Sequence, residues 1–138
     1  MSHEEDILMR ATVVPEHLRP EFLPKHFGLN AMLKVEVSIF GWMECLCPAY
    51  KGGFWEFIEL SNGGAYMRPA HADFYDLRVE TNGFHDRVSA DAAGLIATTM
   101  ALNRLIWQGH GNLLSKYEQL RDFIPHHPEH AAILNALD

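Results

Sequence analysis

Hydrophobic residues along this chain recur with two periods, and the switches between them predict its elements. From about Leu33 to Cys47, Val35, Ile39, Met43 and Leu46 repeat at spacings of three and four, one face of an amphipathic helix that Pro48 closes. Gly41 weakens that helix by roughly 1 kcal/mol relative to alanine. Phe54 to Leu60 is aromatic and branched, Ser61-Asn62-Gly63-Gly64 tolerates positive φ, and Ala65-Tyr66-Met67 returns before Pro69, which predicts a β-hairpin. In a second pair, Leu77 and Val79 alternate with Arg78 and Glu80, and Asn82-Gly83 predicts a two-residue turn into Phe84 to Val88.

The period then returns to the helical one. Ser89 is placed as an N-cap and Asp91 lies in the first turn, where the helix dipole favours an anion; AAGLIATTMALNRLIW follows as a helix. Ile96, Met100, Asn103 and Trp107 lie near one stripe, and the small residues Ala92, Ala93, Gly94 and Ala97 allow close approach to the sheet or to another helix. Gly109 and Gly111 end it; Leu113, Tyr117, Leu120 and Ile124 mark a further apolar face, and a last helix starts at Pro128. The order helix, four strands, three helices predicts an α+β fold: a four-stranded antiparallel sheet packed by about four helices in a single compact domain, residues 21–138. Residues 1–20, with Glu4, Glu5 and Asp6 in a row, read as an acidic and partly disordered N-terminal segment, and Pro15, Pro20 and Pro24 divide the stretch around its end into short turns or single helical turns.

Composition narrows the class. At 138 residues and 48% hydrophobic, the chain can bury a core without a metal or disulfide staple. No apolar run approaches the roughly 20 residues that cross a bilayer, so a cytoplasmic protein without a membrane partner is expected. The two cysteines, Cys45 and Cys47, are one residue apart on a predicted helix and point in different directions, which predicts reduced, structural, buried thiols. Net charge is −7, from 11 Lys and Arg against 18 Asp and Glu, which disfavours nonspecific DNA binding. Mimicry of DNA by carboxylates would need a row of charge near one per about 1.7 Å. Between Glu56 and Asp91 the acids Glu56, Glu59, Asp73, Asp76, Glu80, Asp86 and Asp91 are instead interrupted by Arg68, Arg78 and Arg87.

A search for chemistry finds little. His126, His127 and His130 are the densest of the histidines, with His126 and His130 four apart, and would be the ligands of a small metal-dependent hydrolase. Spacing alone falls short of the four ligands of a structural zinc, and exposed or capping histidines near Pro128 are the better reading, with no metal or cofactor expected. The cysteines lie near a helix C-terminus, where the dipole disfavours a thiolate. Glu56 and Glu59 point to opposite faces of a strand, which removes the simplest acid-base pair. Asn62-Gly63-Gly64 lacks the Lys and Ser or Thr of a phosphate loop. Trp42, Trp55 and Trp107 read as core packing rather than a binding platform. A nucleic-acid-binding module stands as a further alternative, which salt-dependent DNA retention would reveal.

The segments FLPKHFG (from Phe22), FGWMECLCPAY (from Phe40), GGFWEFIELSNGGAYMRP (from Gly52), NGF (from Asn82) and SADAAGLIATTMALN (from Ser89) closely resemble the ArdB/KlcA antirestriction family of plasmids and other mobile elements. ELSNGG combined with SADAAG is the specific part. The signature positions are Trp42, Trp55, Glu59, Ser61, Asn62, Gly63, Gly64, Asn82, Gly83, Ser89, Asp91 and Gly94, expected to be structural. The resemblance implies a non-enzymatic protein that protects incoming DNA from type I restriction-modification, acting on that complex directly or through a host factor and by something other than simple DNA mimicry. It transfers no active site or interaction residue onto this chain.

Overall fold

A computed structural model describes residues 9–138. The first strand, β1 (Ala11–Val13), is followed by a 3-10 turn and by helices α1 (Arg19–Phe27) and α2 (Met32–Leu46). Strands β2 (Trp55–Leu60), β3 (Ala65–Pro69), β4 (Phe74–Val79) and β5 (Phe84–Ser89) come next, then α3 (Ala90–Trp107), α4 (Leu114–Phe123) and α5 (His130–Leu137). The fold is α+β, with five helices among the described residues.

The expected four-stranded sheet is two sheets. One has the order β1-β2-β3 and the other is the β4-β5 hairpin, all pairings antiparallel. The reason lies at the free edge of β3. In the register Glu56↔Arg68 and Ile58↔Tyr66, Met67 turns its own N–H and C=O away from β2. Helix α3 takes that edge: Thr98 Oγ1 accepts from the Met67 N–H at 3.2 Å. At Gly94 the helix backbone comes so close that a Cβ would lie 2.2 Å from the Met67 carbonyl oxygen and 2.4 Å from Arg68 Cα. A helix satisfies the edge where another strand was expected.

Helix α3 is the hub. Every residue from Ala92 to Thr99 is buried, so it is enclosed on all sides rather than on one stripe, packing on β3, α2 and α4. The predicted face of α2 is the observed one, with Val35, Ile39, Met43 and Leu46 buried. Two expectations near the N-terminus fail. Ala11–Val13 pairs with Leu60 to Ile58, so the sheet begins before the boundary placed at residue 20; the acidic run Glu4 to Asp6 lies outside the described residues. Pro20 and Pro24 sit within one continuous nine-residue helix, longer than the short turns or single helical turns expected. Pro20 occupies the first turn, where no N–H is needed, and burial of Phe22 and Phe27 offsets the bond missing at Pro24. Phe22 stacks on Phe57 of β2 with centroids 4.5 Å apart.

The Asn82-Gly83 turn is also longer than expected. Val79 pairs with Phe84, leaving residues 80–83 as a four-residue loop in which only Gly83 has positive φ, +76°. Asn82 Nδ2 donates to the carbonyls of Asn135 and Ala136, at 3.2 and 3.0 Å. Its Oδ1 accepts from the Phe84 N–H at 2.9 Å, so the same side chain both closes the loop and holds the end of α5.

Candidate functional site

The ELSNGG segment is a docking point between elements distant in sequence. Asn62 Oδ1 accepts from the Gly64 N–H at 2.9 Å, and its Nδ2 donates to the Gln119 carbonyl of α4 at 2.9 Å. Gln119 Nε2 returns a bond to the Asn62 carbonyl, Lys116 Nζ donates to the Gly63 carbonyl at 2.7 Å, and Ser61 Oγ accepts from the Arg10 N–H. Gly63 has φ +94°, whereas Gly64 does not need positive φ; a Cβ there would press on Leu60, Asn62 and Gln119.

Beneath the turn lies a relay from Glu59. Its Oε2 accepts from His26 Nε2 at 2.6 Å and from Lys25 Nζ at 2.9 Å. Lys116 Nζ lies 3.1 Å from His26 Nδ1. An ammonium can only donate, so Nδ1 accepts and His26 is the neutral imidazole with its proton on Nε2. Burial, together with the Lys116 charge, holds His26 below its ordinary pKa against the pull of Glu59. Hydrogen bonds from His26 and Lys25 hold Glu59 below the usual carboxylate range.

A second polar centre forms at the N-terminus of α3. Ser89 caps the helix, its Oγ accepting from the Ala92 N–H at 3.1 Å. Its hydroxyl in turn donates to Glu129 Oε2, and its N–H donates to Glu129 Oε1 at 2.9 Å, which ties α5 to the cap. Asp91 collects three donors: Tyr66 Oη at 2.8 Å, Arg68 Nη1 at 2.7 Å and His127 Nε2 at 2.7 Å. Burial alone would raise the Asp91 pKa, but bonds from His127, Arg68 and Tyr66 outweigh it and hold the carboxyl below its ordinary value. Burial and the Asp91 charge push the Tyr66 phenol far up, so it stays a protonated donor. Arg68 bridges to Glu56 through Nε at 2.9 Å. Asp91 is thus more than a dipole partner.

Sequence reasoning missed Tyr66, Arg68, His127 and Glu129 here, and His26 and Lys116 in the other network. One signal was present: the turn places Glu56 opposite Arg68, a favourable cross-strand pair. The histidine group does not assemble. His127 is 5% exposed with Nδ1 accepting from the Glu129 N–H and Nε2 on Asp91, whereas His126 lies on a 3-10 turn and is exposed. Among the described residues no three His, Cys, Asp or Glu side chains are placed to hold a metal ion.

The remaining signature positions divide. Trp55 is buried and donates through Nε1 to Tyr50 Oη at 2.6 Å; Trp42 is half-buried. Trp107, expected in the core, is 82% exposed, because Leu105 takes the inward position in the last turn of α3 and Trp107 lies on its outer side. Cys47 is buried but Cys45 is exposed, since 45 falls off the inward stripe of α2. No helix among the described residues is long and apolar enough to cross a membrane.

A family model described as antirestriction protein matches residues 48–138, about two thirds of the chain and all of the segment from the hairpin to α5. The chain belongs to the antirestriction protein family. It is 47% identical over 135 residues to an antirestriction protein KlcA of Escherichia coli, covering 93% of this chain and 92% of that one. A second Escherichia coli KlcA is 39% identical over 139 residues, with 97% and 98% covered. The fold matches a solved structure with a TM-score of 0.87 at 40% identity, covering 94% of this chain and 95% of that one. That work describes the KlcA and ArdB proteins as having a novel fold and antirestriction activity against type I DNA restriction systems in vivo but not in vitro. The segment matched by the family model holds all of the Asp91 centre, and of the Glu59 centre it holds Glu59 and Lys116 but not Lys25 or His26.

Proposed function

We propose that this protein acts in the cytoplasm to protect incoming mobile-element DNA from type I restriction-modification, without catalysis and without imitating DNA. The observation that carries the second half is where the acids point. Glu56 and Asp91 pair with Arg68, Glu59 with Lys25 and His26, and Asp76 with Arg87. Four of the seven acids between Glu56 and Asp91 thus neutralise internal partners instead of forming a row that could replace phosphates. The first half rests on the family and on the activity described for its solved relative.

The non-enzymatic reading is supported by the same commitment of side chains. Both ring nitrogens of His26 and of His127 are engaged within the fold, and Asp91 accepts from three donors, which leaves neither group poised as a base for a substrate. The signature residues are read as fold-holding ones, and contact with the restriction complex, direct or through a host factor, is assigned to surface outside them. Activity in vivo but not in vitro, as described for the relative, favours a route requiring something the cell supplies.

The test is the plating efficiency of unmodified phage on a type I restricting host. Expression of the protein should raise it, and single neutralising changes at Asp73, Asp76, Glu80 or Asp86 should leave the protection largely intact. An unchanged efficiency with folded protein present in the cell would reject the reading. Steep, salt-sensitive competition with DNA for a purified restriction enzyme would favour mimicry instead.

A further inference from the structure

Among the exposed large apolar side chains, Leu33 and Val37 lie in the N-terminal half of α2 and Trp107 at the C-terminal end of α3, whereas Leu29 precedes α2 and Phe54 and Phe74 lie by the strands. Leu33 and Val37, one turn apart on the solvent face of α2, are 63% and 68% exposed. They form one wall of an open groove of about 590 Å³ whose other wall is Arg104, Gln108 and His110. Arg104 and Gln108 also border a second hollow of about 470 Å³ on the other side of α3, which Trp107 shares with Trp42 and Met100. A ridge carrying an exposed tryptophan and an arginine therefore stands between two apolar depressions. Trp and Arg are the side chains most enriched where binding energy concentrates.

Charge selects the occupant. The chain carries net −7, yet no acid lines either hollow, and the groove carries Lys34 and Arg104. Among the described residues neither cation takes part in an ion pair. Two fixed cations flanking leucine and valine are too few for a phosphate backbone, where affinity follows the number of phosphates neutralised. They suit a helix with an apolar face and acidic flanks. We propose that the α2–α3 groove docks an acidic amphipathic helix of a partner protein, with Leu33 and Val37 receiving its apolar face and Lys34 and Arg104 its carboxylates. The activity readout below rests on the antirestriction reading, whereas the crosslinking readout does not.

Two measurements test this. In the phage assay, Val37→Asp and Arg104→Glu should each lower protection by about tenfold or more, since a buried interface anchor is worth at least that factor. Leu114→Asp, the same kind of change at a leucine 47% exposed on α4, should retain protection. Unchanged thermal midpoints identify the loss as one of contact. In the second measurement, photoreactive benzoylphenylalanine replaces Val37 in the full chain and is irradiated in a restricting host. The expected adduct joins position 37 to another protein through a peptide with acids beside apolar residues, and Arg104→Glu should reduce it. Full protection by both groove variants would overturn the proposal. So would an adduct with a second copy of this chain, an adduct with nucleic acid, or no adduct. Should the wild-type chain give no protection, the antirestriction reading fails and the adduct alone decides the groove.

Discussion

Asp91 and Glu59 each hold a buried histidine, yet the two centres stabilise the protein differently. At Asp91 the second partner is Arg68, a cation that keeps its charge at any ordinary pH, and His127 takes its other bond from a backbone N–H. At Glu59 the histidine accepts from Lys116, so protonating His26 would remove that bond and set two cations side by side. The α3 centre sits where a helix nearly touches a strand backbone, whereas the Glu59 centre joins a hairpin tip to two helices through long side chains. The lesson is that similar carboxylate–histidine contacts differ in what the far side of the ring meets, a neutral backbone N–H at His127 and a charged ammonium at His26.

The largest difference between the two centres is expected at the helix–strand contact. Gly94→Ala should destabilise by about 3 kcal/mol or more, beyond ordinary overpacking, because the clashing atoms are backbone that no rotamer can move. A denaturation midpoint within error of wild type would show that α3 can lift off β3. Next, Asp91→Ala should cost about 2 to 4 kcal/mol by leaving Arg68, Tyr66 and His127 without their acceptor. Loss of antirestriction with unchanged stability would instead make Asp91 a functional carboxylate. At the hairpin tip, Gly63→Val should cost roughly 1 kcal/mol or more from φ +94° and a Cβ 3.0 Å from Gln119 Nε2, a smaller effect because that side chain can yield.

The smallest effect separates the two centres by pH. His26 has a folded pKa below its ordinary 6.5, so the unfolded chain binds the proton first and stability falls as pH drops through that value. Glu59 and Asp91, lowered from 4.5 and 3.8, hold their contribution until pH falls below those values. Urea midpoints of wild type and His26→Gln, followed from pH 7.5 downward (a range of about four units suffices), should converge first as His26 titrates. A constant difference across the window around 6.5 would remove the Glu59 centre from the comparison.

Everything legible in the residue order is local. The α2 face, both hairpins and the Ser89 cap follow from spacing and turn chemistry, which act between residues a few positions apart. Glycine at 94 also announced close approach, since small residues in a helix leave room for little else. Family membership was legible in ELSNGG and SADAAG for the same reason. Tertiary structure decided the rest. Whether β3 met β4 or α3 depended on which group satisfied the free N–H of Met67, 31 residues from Thr98. The two proline residues of α1 were tolerated only because Phe22 and Phe27 found a core. Asp91 gathered Tyr66, Arg68 and His127 from 25, 23 and 36 residues away, a convergence that no local pattern encodes. Trp107 and Val37 are apolar residues like those of the core, and only the placement of neighbouring elements left them in solvent, where a partner can reach them.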